Sequence, residues 1–144
     1  MPALSDNQLL IKVGWLSLDP YMRGRMNDIK SYVEPMQLGD VMTGESAGIV
    51  VESSSDRFAP GDHVAVHKGW QSYIVCDDDD PRVMKIDLSN GSLSAHLGAV
   101  GMPGRTAYFG LKEVGKPQKG ETLVVAAASG AVGSAVGQLS LIHI

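Results

Sequence analysis

Apolar and polar positions alternate over residues 8–15, a stretch rich in Leu, Ile and Val, and the chain then meets Asp19-Pro20; this pattern predicts a strand running into a turn. A polar loop dotted with Gly and Pro follows to Asp40. Three further segments read as short strands separated by turn signals: residues 41–53, which carry Ile49-Val50-Val51; residues 62–66, after the turn Ala59-Pro60-Gly61; and residues 70–76, which end in four aspartates. Together they have the pattern of a small antiparallel barrel or sandwich. The character changes after Pro81. Residues 92–100 and 105–114 have helical spacing, the first after Asn90-Gly91-Ser92, the second after Met102-Pro103-Gly104 and ending at Gly115. Thr122-Leu123-Val124-Val125-Ala126-Ala127-Ala128 is apolar almost throughout, and such a run predicts a strand covered on both faces, as in a parallel α/β sheet. A β-rich region to about residue 90 therefore hands over to the beginning of an α/β domain.

Composition narrows the function. With 12 Lys+Arg against 16 Asp+Glu, a net charge of −4 and no basic stripe, the chain is not expected to bind nucleic acid. No stretch approaches the roughly 18 apolar residues of a membrane span, and the first residues lack the basic-then-apolar run of a signal peptide, so neither membrane insertion nor export is expected. The single cysteine, Cys76, can form neither an internal disulfide nor a cysteine-based zinc cluster, which fits a reducing cytoplasm.

The most informative motif is Ala128-Ser129-Gly130-Ala131-Val132-Gly133, a dinucleotide fingerprint with alanine in place of the first glycine. Gly130 would let the backbone approach a pyrophosphate, and Gly133 would let the new helix pack closely on its strand. The amides at that helix start, from Gly130 and Ala131 through Val132 and Gly133, would face the phosphates. A rival signal is Gly44-Glu45-Ser46-Ala47-Gly48, which has the spacing of a hydrolase nucleophile elbow with Ser46 as nucleophile. The elbow needs a helix after its serine, whereas Ile49-Val50-Val51 prefers a strand. Asp77 to Asp80 read as a solvated turn, and His63, His67, His96 and His143 lack the pairing of a metal site. Trp15 and Trp70 read as core or rim packing.

Three separated segments carry a resemblance. They are Leu16-Ser17-Leu18-Asp19-Pro20-Tyr21-Met22-Arg23-Gly24-Arg25-Met26, then Val100-Gly101-Met102-Pro103-Gly104-Arg105-Thr106-Ala107-Tyr108-Phe109-Gly110-Leu111, then Gly120 to Ala128 with the glycine turn. In these the chain resembles the zinc-independent medium-chain dehydrogenases/reductases of the leukotriene B4 12-hydroxydehydrogenase, prostaglandin reductase and curcumin reductase group. The resemblance implies a β-rich GroES-like partial barrel over 1–90, connecting helices over 91–120, and the first strand and helix of a Rossmann domain over 121–144. It implies NADPH as cofactor and reduction of the C=C bond of α,β-unsaturated ketones or aldehydes, small-molecule enones and enals, by hydride transfer to the β-carbon. By the same likeness Tyr21 and Met22 line the substrate pocket, with Tyr32 as a further pocket residue, and Thr106 touches the cofactor. Tyr21 could donate a hydrogen bond to the developing enolate oxygen. Where zinc-dependent relatives have Gly-His-Glu, this chain reads Thr43-Gly44-Glu45, so no metal is expected. The parent protein is expected to be a cytoplasmic homodimer. Two other readings stay open: a serine hydrolase using Ser46, and a dinucleotide-binding protein without turnover.

A βαβ unit needs roughly 30 residues or more, and only 24 run from Glu121 to Ile144, so the second Rossmann strand is not expected. The residue choosing between NAD and NADP lies roughly 20 positions beyond the glycines, and eleven follow Gly133. The chain is expected to be an inactive, poorly soluble fragment, incomplete at its N-terminus and with negligible NADPH affinity. Its last six residues, Leu139-Ser140-Leu141-Ile142-His143-Ile144, depart from the family and match a translated transposase-end sequencing adaptor.

Overall fold

The computed structural model describes residues 3–143, with the side chain of His143 left out. The chain divides into two compact units, Met1–Ser89 and Asn90–Ile144. The first unit is a five-stranded antiparallel sheet built from β1 (Gln8–Leu16), β2 (Ser46–Ser53), β3 (His63–Val66), β4 (Tyr73–Asp77) and β5 (Val83–Lys85), in the order β4-β1-β2-β3-β5. Ile11 at the centre of β1 faces Val50 of β2 on one side and Ile74 of β4 on the other. All three are essentially inaccessible to solvent, and with Leu9, Val64, Val66 and Cys76 they form the core. Each such side chain contributes roughly 1.5–3 kcal/mol of burial free energy. Two register shifts along β1, at Leu10/Ile11 and Val13/Trp15, mark irregularities of the kind that bend a sheet.

Each of the four strands expected over 8–15, 41–53, 62–66 and 70–76 is present with altered ends. β5 was not expected: at three residues it is too short to show an alternating pattern. The polar loop after Pro20 opens with a helical turn, α1 (Tyr21–Arg25), because Pro20 already has helical dihedrals and its carbonyl accepts the Arg23 N–H. The aspartate tract is not simply a solvated turn. Asp78 is buried, with its carboxylate on the Ser55 hydroxyl and its carbonyl on Arg57, and Asp80 pairs with Lys68 and Arg82 at 2.7 Å each.

In the second unit, residues Leu93–Leu97 form a 3₁₀ helix whose N-cap is Ser92, its hydroxyl accepting the Ala95 N–H. Helix α2 (Met102–Phe109) starts three residues before the expected Arg105, since Pro103 in its first turn needs no N–H partner. It continues as a π-type turn, Gly110–Gly115, ended by Lys116 in the left-handed region. Helix α3 (Ala131–His143) follows the glycine turn.

The strand expected over 122–128 is absent. Residues 121–125 run without a ladder partner, Val124 is 87% exposed, and the turn begins at Ala126. A strand is held by its neighbours, and every strand of the sheet belongs to the first unit, so this apolar segment has nothing to pair with. Among the described residues no helix is long and apolar enough to cross a membrane.

Candidate active site

In the first unit, α1 brings Tyr21 and Arg25 onto one helical face, four residues apart. The Arg25 guanidinium lies 5.9 Å from the centre of the Tyr21 ring and 4.6 Å from that of Tyr32, so the cation bridges two phenols. Burial, then the Asp19 and Glu45 carboxylates, push the Tyr21 phenol above its ordinary 10.0, against the opposing pull of Arg25. Tyr21 therefore stays protonated at neutral pH and can donate a hydrogen bond. Met22 is buried beneath the helical turn, its Sδ accepting the Asp19 N–H at 3.5 Å. Tyr32 is 88% exposed.

Behind α1 the chain passes through Gly44. A Cβ there would stand 2.7 Å from Met22 Cε, the end of a flexible side chain, and 3.1 Å from Trp70 Nε1, so a larger residue at this position needs both neighbours to shift. Among the described residues no group of three His, Cys, Asp or Glu side chains could hold a metal. Ser46 opens β2, is wholly buried, and donates its hydroxyl to the Gly69 carbonyl at 3.0 Å. It is a strand residue with a spent proton, and the hydrolase reading falls. His67 bonds to the Thr43 hydroxyl at 3.2 Å and is not a base for Ser46.

In the second unit the glycine turn is built as its sequence implies at one position and differently at another. Ala127 has a positive φ of 52°, and its carbonyl accepts the Gly130 N–H at 2.9 Å. A Cβ on Gly133 would lie 2.3 Å from that same carbonyl oxygen, so only glycine allows the helix to start this close to the turn. Gly133 therefore packs on a turn and not on a strand. Gly130 is less constrained, its Cβ position lying 3.2 Å from Ala127 O. Among the described residues no hydrogen bond is accepted from the N–H groups of Ala131, Val132 and Gly133. Open amides at a helix start, with no side chain over them, fit an anionic group such as a diphosphate. Beside them, a groove of about 670 Å³ runs between α2 and α3, lined by Val100, Tyr108, Phe109, Ala131, Ala135 and Leu139 among others. Thr106 is exposed, its hydroxyl bonded back to the Met102 carbonyl at 2.8 Å.

Residues 1–86 match the family model for the N-terminal domain of oxidoreductase. The chain belongs to this oxidoreductase family. It is 48% identical over 134 residues to the NADPH-dependent curcumin reductase of Escherichia coli (strain K12), covering 93% of this chain and 38% of that protein. It is 44% identical over 136 residues to the NADP(+)-dependent 2-alkenal reductase of Nicotiana tabacum, covering 94% and 39%. The crystal structure of CurA from Vibrio vulnificus in complex with NADPH superposes with a TM-score of 0.88 at 43% identity, over 99% of this chain and 42% of that one. The chain thus spans about two-fifths of the length of these relatives.

Within this chain the expected residues fall in three places: Tyr21, Met22 and Tyr32 at or near α1, Thr106 in α2, and Gly130, Ala131, Val132 and Gly133 at the start of α3. Arg25 was missed, although its i, i+4 spacing from Tyr21 is written in the sequence. Trp70, which stands against Gly44, carried no local signal, because only the fold brings the two together.

Proposed function

We propose that this chain is the N-terminal part of a cytoplasmic, homodimeric NADPH-dependent reductase acting on the C=C bond of α,β-unsaturated ketones and aldehydes without a metal. When bound, the reduced nicotinamide supplies a hydride to the electrophilic β-carbon of the enone. The residues of this chain do the rest. The open amides of Ala131, Val132 and Gly133 bind the diphosphate, and Gly133 lets the helix come close enough to present them. Tyr21, kept protonated by burial and by Asp19 and Glu45, donates its hydroxyl proton in a hydrogen bond to the enolate oxygen as charge develops there. Met22 supplies the apolar floor beneath it and Tyr32 an exposed phenol beside it. Gly44 carries no side chain to ligate a metal, which supports polarisation of the carbonyl by hydrogen bonding.

The observation that carries this reading is the unpartnered N–H triplet at the start of α3, on a chain whose relatives are named as NADPH-dependent curcumin and NADP(+)-dependent alkenal reductases. The test is NADPH oxidation by the intact protein with a simple enone in the presence of a chelator. Turnover insensitive to chelation is the expected result. NADPH binding without oxidation across a panel of enones and enals would leave a dinucleotide-binding protein in its place.

A further inference from the structure

We infer that Asn90 is a site of spontaneous chemical modification, at which the side-chain amide is converted to aspartate and isoaspartate where the chain passes from one compact unit to the other. The chain has three asparagines, Asn7, Asn27 and Asn90, and only Asn90 is followed by glycine. In this reaction the main-chain nitrogen of the next residue attacks the asparagine Cγ. A C–N bond forms, ammonia leaves, and the resulting five-membered imide is opened by water at either carbonyl. The products are an aspartate, or an isoaspartate whose backbone runs through the former side chain; the sum is amide plus water to acid plus ammonia.

The fold leaves this route open at Asn90 and obstructs it at the other two. Asn90 is exposed at the end of a single 3₁₀ turn, Leu88–Asn90, and its side chain makes no hydrogen bond with any described residue. Gly91 has a φ of +142° and presents its nitrogen with no Cβ to shield it. At Asn7 the attacking nitrogen would be that of Gln8, which starts β1 and donates to the Ser54 hydroxyl at 2.9 Å. At Asn27 the side-chain oxygen is held by Arg23 Nη1 at 2.7 Å, and the next residue is Asp28. The contrast is therefore in hydrogen bonding as well as in sequence.

The position makes the change consequential. The division between the two units falls between Ser89 and Asn90, and Ser92, two residues on, caps the next helix. Conversion adds a negative charge there, and the isoaspartate form lengthens the main chain by one carbon, so the modification alters the connection itself.

The test is to hold the folded chain near neutral pH, and one pH unit above, and to follow all three asparagines by peptide mass mapping. Conversion at Asn90 is expected to outrun that at Asn7 and Asn27. It should rise about tenfold per pH unit, as for any step whose reactive species is a group deprotonated far below its pKa. The rate in the native chain should be no slower than in the same chain unfolded in urea, and Asn90→Gln should abolish the product. Protection of Asn90 in the native chain relative to urea, or conversion no faster than at Asn7 and Asn27, would overturn the inference.

Discussion

The carbonyl oxygen of Ala127 lies 2.3 Å from where Gly133 would carry a Cβ, a contact no side-chain-bearing residue can make. Gly133→Ala must push the start of α3 away from the turn, at a cost of about 1–3 kcal/mol. Thermal unfolding should fall accordingly, and NADPH titration of the intact protein should show loss of binding. Gly137 has open space around its Cα, so Gly137→Ala in the same helix should raise stability by up to about 1 kcal/mol.

Tyr21 is held in the protonated form by burial and by its acidic neighbours. Under the proposed mechanism, Tyr21→Phe in the intact protein should lower kcat for a simple enone by about 10²-fold while changing KM little, because the lost hydrogen bond would form only as the enolate does. No activity should be lost through ionisation of this phenol until the pH exceeds 10, its raised pKa lying above the ordinary value.

Ser46 serves the fold. Replacing it by alanine strands the buried Gly69 carbonyl and should destabilise the first unit by about 1–3 kcal/mol, read by chemical denaturation. Ester hydrolysis should be absent before and after the change.

Gly44→His introduces an imidazole where Met22 Cε and Trp70 Nε1 stand 2.7 and 3.1 Å from the Cβ position. The variant should lose about 1–3 kcal/mol of stability through overpacking and should gain no bound zinc by elemental analysis.

Asp80 accepts from the Arg82 main chain and guanidinium and from Lys68, and these bonds, Arg82 first, hold its carboxyl well below the usual 3.8. A depressed folded pKa contributes stability that is fully present above the unfolded value and is lost as the pH falls from 3.8 toward the folded one. Asp80→Asn should therefore cost about 1 kcal/mol at neutral pH, partly screened by solvent, and the gap between the proteins should close in acid.

Much of the fold was legible in local patterns because local patterns caused it. The alternation in β1 places Leu9 and Ile11 on the core side, and the Ser92 cap and the Pro103 first turn use chemistry carried within a few residues. The failures have one source. Residues 122–128 have the composition of a buried strand, yet composition supplies no partner strand, and Val124 faces solvent. Asp78 looks like a surface aspartate until Ser55 and Arg57 are brought to it from more than twenty residues away.

The sequence by itself determined the antiparallel strands and the glycine turn with its helix, since spacing and residue type within short windows set each of them, and its likeness over three long segments pointed to the family. Only the tertiary structure decided that Ser46 is a buried strut, that Met22 and Trp70 stand against Gly44, and that Arg25 bridges two tyrosines. Each of those depends on distances between atoms far apart along the chain, and such distances exist only after the backbone has folded.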